Sequence, residues 1–442
     1  MIRIYENSDE ASNILNRRQM LTVDDVPDVV LDGVKRVFGE ALTPEAAVAR
    51  LLADVRARGD TALREWTARI DGVTLEAPEV PQSEWEATYR ALDTDLRSAL
   101  ETSAARIRDF HRRQPIPNWT TDAMGGTLGQ KLVPLARVGL YVPGGTAPLP
   151  SSLMMAAIPA RVAGVDEVIV CTPADRQTGR IAPLTLAAAH IAGVDRVFAL
   201  GGALAIAALA FGTESVPRVD KVVGAGGLFT TIAKRQVYGI VGLDGLYGPT
   251  ETIVVADDSA NPTWVAADLL AQAEHDPLAT AILLTPSRTL AEAVQVEVER
   301  QAASLGRASI IAQSLAGQGG IVLTPDLATA IKLADAFAPE HLCLSVEDPS
   351  MWVDKIRNAG GIFLGEHSFE VLGDYVAGPS HIMPTGGTAR FKGPVNVLDF
   401  VKVINLIGLD AATAQRLAPA SARIADAESL TAHGAAAKWR IE

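Results

Sequence analysis

Hydrophobic and polar positions change rhythm twice along these 442 residues. Up to about residue 115 the period is helical. The run Ala46-Ala47-Val48-Ala49-Arg50-Leu51-Leu52-Ala53-Asp54-Val55 continues past Gly59 into Ala62-Leu63-Arg64-Glu65-Trp66-Thr67. Leu96, Leu100, Ala104 and Ile107 then repeat at three- and four-residue steps, one apolar stripe with charge elsewhere. The stretch Gln114-Pro115-Ile116-Pro117-Asn118 ends that region. From Arg137 onward short β-rich runs alternate with Ala-rich helical ones. The pattern predicts strands over 138–142, 167–171, 196–199 and 221–223, with helices over 153–163, 184–192 and 203–211 between them. A second series predicts strands over 252–256, 281–284, 320–323, 341–346 and 361–364, separated by helices over 262–273, 289–305, 327–337 and 352–358. After Gly393-Pro394 the tail is expected to form helices over 411–417 and 420–427, on either side of Pro419.

Strand–helix alternation is the signature of βαβ crossovers and so of parallel sheets. The expected fold class is α/β: two tandem Rossmann-like parallel-sheet units with a helical N-terminal region and a helical C-terminal tail. The units join near 242–249 and could be duplicates of each other. The expected boundaries are 1–130 for the N-terminal region, 131–247 and 248–392 for the two units, and 393–442 for the tail. With 48% hydrophobic and 21% charged residues the chain has the composition of an ordinary globular protein. A net charge of −13 and a pI near 5.1 argue against nucleic acid or an anionic membrane as partner, while leaving room for a local basic pocket. Cys171 and Cys343 lie in apolar runs, which fits buried free thiols in a reducing cytosol. No run reaches the roughly 18 apolar residues of a membrane span. The start, Met1-Ile2-Arg3-Ile4-Tyr5-Glu6-Asn7, has no apolar leader pattern, so a cytoplasmic location is expected.

The chemistry lies in polar residues set within apolar, Gly/Pro-bounded segments. Three of the seven His fall there. Gln272 and His275 lie in Ala271-Gln272-Ala273-Glu274-His275, three apart on a predicted helix and so on one side of it. Asp374 lies in Leu372-Gly373-Asp374-Tyr375, and His433 in Leu430-Thr431-Ala432-His433. These four offer nitrogen and oxygen ligands with one carboxylate, a set that suits Zn²⁺ or a similar divalent metal. Glu340 and His341, in Ala338-Pro339-Glu340-His341-Leu342, are the pair that acid–base chemistry beside a metal requires. Adjacent strand residues point to opposite faces, so this pair needs a bend or a strand end to act together. Each feature also has a plainer reading. Gln272 and His275 fit a solvated helix end before Asp276-Pro277, and Glu340 and His341 fit a surface carboxylate and a core imidazole. His433 fits a residue complementing the dipole of a helix that Gly434 caps. The Gly-rich loop after the last predicted strand brings in Asp374 and His381, the latter a candidate substrate contact, whereas His367 reads as solvent-facing. Loops at the carboxyl ends of parallel strands are where such folds place ligands. Gly224-Ala225-Gly226-Gly227, Gly144-Gly145-Thr146 and Gly201-Gly202 also follow predicted strands. They fit either a pyrophosphate approaching backbone amides or simple tight turns.

Taken together, these segments resemble the histidinol dehydrogenase family over nearly the whole chain. The resemblance is carried by Val138-Gly139-Leu140-Tyr141-Val142-Pro143-Gly144-Gly145, Ala205-Ile206-Ala207-Ala208-Leu209-Ala210-Phe211-Gly212, Glu214-Ser215-Val216-Pro217, Ala267-Asp268-Leu269-Leu270-Ala271-Gln272-Ala273-Glu274-His275, Pro339-Glu340-His341-Leu342 and Leu430-Thr431-Ala432-His433. It implies a homodimer with shared active sites, dependent on zinc and NAD, that oxidises a small primary alcohol through an aldehyde to a carboxylate, most simply L-histidinol to L-histidine. It implies an NAD side in the first unit and a metal and substrate side in the second. Zinc would be held by Gln272, His275, Asp374 and, from the other subunit, His433. Glu340 and His341 would be the acid–base residues. Thr250, His381 and Glu428 would join the metal ligands and His341 around the substrate. Tyr141, Leu204 and Gly227 would face the cofactor. The departures from the family lie on that side: Leu204 stands for the usual Gln, Gly227 for the usual Asn, and Asp244-Gly245-Leu246-Tyr247-Gly248-Pro249-Thr250 for the usual Met-Pro-Ala-Gly-Pro-Ser. A paralogue acting on another small alcohol, such as a sulfonated propanediol, and a non-catalytic metal-binding relative are the alternatives this pattern leaves.

Overall fold

A computed structural model describes residues 2–16, 26–144 and 148–440; Gly145 and Thr146 of the first glycine turn lie outside them. The described strands, in chain order, are β1 (Ile4–Tyr5), β2 (Glu79–Val80), β3 (Trp119–Thr121), β4 (Gly126–Pro134), β5 (Arg137–Tyr141), β6 (Glu167–Thr172), β7 (Arg196–Ala199), β8 (Lys221–Val223), β9 (Gly242–Leu243), β10 (Glu251–Ala256), β11 (Thr280–Thr285), β12 (Gly320–Leu323), β13 (His341–Ser345), β14 (Gly361–Leu364) and β15 (Val401–Leu409). They build two six-stranded sheets and one of three strands.

The two large sheets share one topology. The first runs β2-β7-β6-β5-β8-β9 and the second β1-β12-β11-β10-β13-β14. Within each, five parallel strands are ordered third, second, first, fourth, fifth, so the units are topological duplicates. The apolar runs explain why. Every residue of β10 and β11 is buried, as continuous Val/Ile/Leu strands in a sheet covered on both faces must be. Helices Pro44–Arg58, Gly202–Phe211 and Leu228–Val237 pack together beside the first sheet, and helices Thr94–His111, Pro150–Ala163 and Pro183–Ala192 form a second packed group. No helix among the described residues is long and apolar enough to cross a membrane.

The nine predicted strands all appear, with ends shifted by one residue at most. Other expectations change. The N-terminal region is mostly helical, yet it lends an edge strand to each sheet: β1 lies parallel to β12 and β2 antiparallel to β7. Residues 119–134 and 401–409 form an antiparallel ribbon, β3-β4-β15, which the helical reading of the tail missed. Pro419 does not divide the tail, because helix Ala411–Ala427 runs through it. Helix Ser350–Val353 is a short turn rather than the expected 352–358, while helices Leu228–Val237 and Ala308–Gly317 were not foreseen.

The early helical run breaks at Gly59, between helices Pro44–Arg58 and Asp60–Ile70. Its φ of 53° suits glycine, and a Cβ there would lie 2.3 Å from Glu214 Oε2, the atom that accepts the Asp60 N–H at 2.8 Å. Gly59→Ala is therefore expected to lower stability by about 1–3 kcal/mol through backbone strain and loss of that carboxylate cap. The denaturant midpoint should fall with an unchanged slope; an unchanged midpoint would show that the break is tolerant.

Candidate active site

The chemistry-bearing residues of the second unit collect at the amino edge of its sheet. His341 opens β13 and is registered with Thr252 near the start of β10 and with Gly361 at the start of β14. Thr250 and Glu340 stand just ahead of those strands. Helix Pro262–Ala273 runs against the strands, so its last turn brings Gln272, and the following turn His275, to the same edge. The loop after β14 starts at the carboxyl edge but returns through helix Glu370–Tyr375, which packs on helix Pro262–Ala273. The expectation of a site at the carboxyl ends of this sheet is thus replaced by one at its amino ends.

Ala338 supplies the bend that lets the adjacent Glu340 and His341 face each other. It caps helix Leu327–Phe337 in the left-handed region, with φ 57° and ψ 62°, a rare conformation for a residue with a Cβ. Glu340 then lies outside the pleat, and its Oε2 comes within 3.9 Å of His341 Nδ1. Thr250 Oγ1 and the Glu251 backbone N–H donate to that oxygen at 2.5 and 3.1 Å. Burial pushes the Glu340 carboxyl well above the usual range, against the pull of the Thr250 hydrogen bond. Burial also lowers His341 to about 4, so the imidazole is neutral. Its Nδ1 lies 3.3 Å from the Glu251 carbonyl, which makes Nδ1 the protonated nitrogen and leaves Nε2 as a lone pair. Nε2 is buried, has no hydrogen-bond partner among the described residues, and lies 3.9 Å from Asp374 Oδ1.

Gln272 is fully buried, and neither its amide oxygen nor its amide nitrogen has a partner among the described residues. Such an amide costs about 1–3 kcal/mol unless something else completes it. His275 is exposed on the next turn, while burial lowers the basicity of both His341 and His381. His381 donates from Nδ1 to the Asp374 carbonyl at 2.8 Å, and its Nε2 accepts from Ser152 Oγ at 3.1 Å. It therefore fixes the Asp374 backbone. Amide oxygen, imidazole and carboxylate fit the donor preferences of Zn²⁺, and the orphaned Gln272 amide is the observation that supports the fit. Among the described residues no three His, Cys, Asp or Glu side chains are gathered for a metal. The expected set calls for none, since only His275 and Asp374 of one chain are of those types. Glu428 and His433 are exposed near the end of the chain, where helix Thr431–Lys438 packs on helix Ala411–Ala427. Neither shares a hydrogen bond or ion pair with this group among the described residues.

The cofactor candidates lie at the carboxyl edge of the first sheet. Tyr141 ends β5, and its hydroxyl accepts from the Gly202 N–H at 3.2 Å. Gly224 packs on the Tyr141 carbonyl so closely that a Cβ would sit 2.1 Å from it, at a φ of 119°. Leu204 is buried on helix Gly202–Phe211, whereas a Cβ on Gly227 would meet nothing within 4 Å. Sequence reasoning missed the clamp behind this edge. Lys234 Nζ donates to the Gly224 carbonyl at 2.8 Å and to Asp244 Oδ1 at 2.6 Å, and Asp244 Oδ2 accepts the Gly224 N–H at 2.7 Å. The departing loop 244–250 is thereby tied to the glycine turn. Also missed were Ser152, Glu370 and Asp268. Glu370 is buried, accepts from Thr252 Oγ1 at 2.5 Å and lies 3.8 Å from His341 Nδ1. Asp268, one turn before Gln272, is pushed up to about 7 by burial and the nearby Glu366 charge. The signal for Asp268 and Glu370 was a carboxylate placed within an apolar helix stretch; Ser152 had none.

Comparison with known proteins bears on this arrangement. The family model described as histidinol dehydrogenase matches residues 38–441. The chain is 52% identical over 419 residues to a histidinol dehydrogenase of Deinococcus radiodurans, covering 94% of this chain and 95% of that one. It is 52% identical over 391 residues to a histidinol dehydrogenase of Thermus thermophilus, covering 88% and 93%. The crystal structure of histidinol dehydrogenase from Elizabethkingia anophelis superposes with a TM-score of 0.90 at 33% identity, covering 100% of this chain and 98% of that one. The family resemblance and the α/β fold class expected from the motifs agree with these findings.

An unpartnered buried amide yields a direct expectation. Without metal, Gln272→Leu should be as stable as the unaltered protein or more stable, by up to about 3 kcal/mol, because an apolar group replaces two orphaned polar atoms. Added Zn²⁺ should raise the melting temperature of the unaltered protein and leave the variant unmoved. A variant that gained as much from Zn²⁺ would remove Gln272 from the ligand set.

Proposed function

The chain belongs to the histidinol dehydrogenase family, whose reaction is the NAD-dependent two-step oxidation of histidinol to histidine, and we propose that it carries out this reaction between the two sheet edges. The buried, unpartnered Gln272 amide beside the buried Glu340–His341 pair is the observation that carries the proposal. Gln272, His275 and Asp374 would hold one Zn²⁺ together with His433 of the partner subunit. Tyr141, Leu204 and Gly227 would border NAD⁺. When bound, the metal would fix the substrate and stabilise negative charge on oxygen and on Glu340, and each of two successive dinucleotides would accept one hydride.

The remaining steps belong to side chains. His341 Nε2, with its lone pair exposed to the site, takes the hydroxyl proton of the alcohol. Glu340, oriented by Thr250 and the Glu251 N–H, takes a proton from the water that adds to the aldehyde. His341 serves again when the hydrate is oxidised to the acid. Two NAD⁺ are consumed and two NADH formed for each carboxylate. Thr250, His381 and Glu428 border the substrate, with His381 also holding the Asp374 backbone.

The division into a helical region over 1–130, an NAD-side unit over 131–247, a metal-side unit over 248–392 and a tail over 393–442 is part of the same proposal. So is a homodimer. Its support is apolar surface on the ribbon and tail: Val403 is 55%, Ile407 78%, Ile424 61% and Trp439 74% exposed. A cytosolic setting is supported by the two buried free cysteines.

With L-histidinol, product analysis should find two NADH per histidine. Glu340→Gln should slow oxidation of the aldehyde by roughly 10²–10⁴-fold, and an aldehyde-oxidising variant at full speed would deny Glu340 its role. Mixed dimers of His275→Ala and His433→Ala chains should regain activity, because one of their two sites has every ligand. Verified mixed dimers without activity would mean that each chain builds its own site.

A further inference from the structure

One carboxylate at the first sheet's carboxyl edge is unused by the reaction described above. Asp71 follows helix Asp60–Ile70 and is half-buried. Arg176 Nε donates to its backbone carbonyl at 3.0 Å, but its carboxylate shares no hydrogen bond or ion pair among the described residues. Burial raises its pKa against the opposing pull of Arg176. The residue stands in the wall between two cavities. One, of about 320 Å³, is apolar and lined by Val34, Phe38, Leu204 and Phe229. The other, of about 850 Å³, borders Gly144 and Pro173 beyond β5 and β6. Gly201, just after β7, leaves the backbone bare there: a Cβ would lie 2.8 Å from Pro173 and 3.6 Å from Asp71 Oδ2.

We propose that Asp71 determines the choice of dinucleotide: its carboxylate accepts both hydroxyls of the adenosine ribose, with adenine in the adjoining apolar cavity. The inference rests on the NAD reading above. Strand order supplies the direction. The loop leading to Thr250 leaves β9, whereas Asp71 stands beside the end of β7, four strand spacings or about 19 Å away. A dinucleotide stretched along this edge, with nicotinamide at the substrate end, brings its adenosine to Asp71. A vicinal diol offers two O–H donors to two carboxylate oxygens. A 2′-phosphate would instead set two further negative charges against a half-buried carboxylate, a repulsive element that confers selectivity. Acidic groups read the ribose in dinucleotide folds generally, from the sheet itself. Here the group is delivered by the N-terminal helices.

The test is equilibrium binding of NADH and NADPH to purified, zinc-supplemented protein by nucleotide fluorescence. The unaltered protein should favour NADH by roughly a hundredfold or more, and Asp71→Asn should cut that ratio at least about tenfold, chiefly by binding NADPH better. Asp71→Ala should weaken NADH about tenfold while leaving the KM for histidinol at saturating NAD⁺ unchanged. A ratio in Asp71→Asn within about twofold of the unaltered protein overturns the role of Asp71 and leaves the NAD reading standing. No NADH binding by the unaltered protein overturns both. Should the variants fail to fold, ADP-ribose against 2′-phospho-ADP-ribose binding to the unaltered protein decides: equal affinities overturn the proposal.

Discussion

In a βαβ unit the helices run against the strands, and that direction gives each sheet edge an electrical sign. Helix N-termini gather at the carboxyl edge, where free N–H groups favour anions; helix C-termini gather at the amino edge, where free carbonyls favour cations. The two duplicated units use opposite edges. Helices Gly202–Phe211 and Leu228–Val237 start at the first sheet's carboxyl edge, beside Tyr141 and Gly224. Helix Pro262–Ala273 ends at the second sheet's amino edge, beside His341. One edge suits a dinucleotide pyrophosphate and the other a metal ion. The loop 242–250 and the contact between Ser152 and His381 join them. Two units are needed because a single sheet has only one edge of each sign, on opposite sides.

Burying Glu340 and His341 at that junction is costly for the protein. A carboxyl and an imidazole buried at the start of an apolar strand lose their hydration, and burial favours the neutral form of each. That state is half useful. A neutral His341 with its proton fixed on Nδ1 is ready to accept another, whereas Glu340 must ionise before it can act as a base. Thr250 and the Glu251 N–H already favour the ionised form, and a cation among Gln272, His275 and Asp374 would add to them. The left-handed Ala338 backbone, the orphaned Gln272 amide and the buried Glu340 carboxyl are each unfavourable for the protein alone. Together they describe a pocket arranged around something it binds.

Much of this was legible in the sequence, for identifiable reasons. The parallel strands announce themselves because burial on both faces demands unbroken apolar runs, as in Ile253-Val254-Val255 or Ile282-Leu283-Leu284. The ribbon escaped notice because its strands are not buried: Val403 and Ile407 lie exposed, so no alternation marks a face. The edge strands β1 and β2 are two residues long, too short for any period to show. Gln272, Glu340, His341 and Asp374 stood out as polar groups in apolar surroundings. What the sequence concealed was direction. Loop order alone placed Asp374 at a carboxyl edge, and only the return of helix Glu370–Tyr375 brings it to the amino edge. The Lys234–Asp244 clamp was hidden for a similar reason, since a charge pair ten residues apart is invisible until the turn between them closes.

The same physics separates the two edges. At the edge of Glu340 and His341, Thr250 and the Glu251 N–H both donate to the buried Glu340 carboxyl, so truncating it strands those donors at a cost of about 1–3 kcal/mol. At the cofactor edge the contacts are made to a ligand that arrives and leaves, and the protein alone does not depend on them. Gly227 opens onto free space, and Leu204 completes an apolar wall instead of leaving an amide without a partner. Both residues suit the protein without a ligand. A dinucleotide at that edge would meet backbone N–H groups at two helix starts and the side chains of Tyr141 and Asp71.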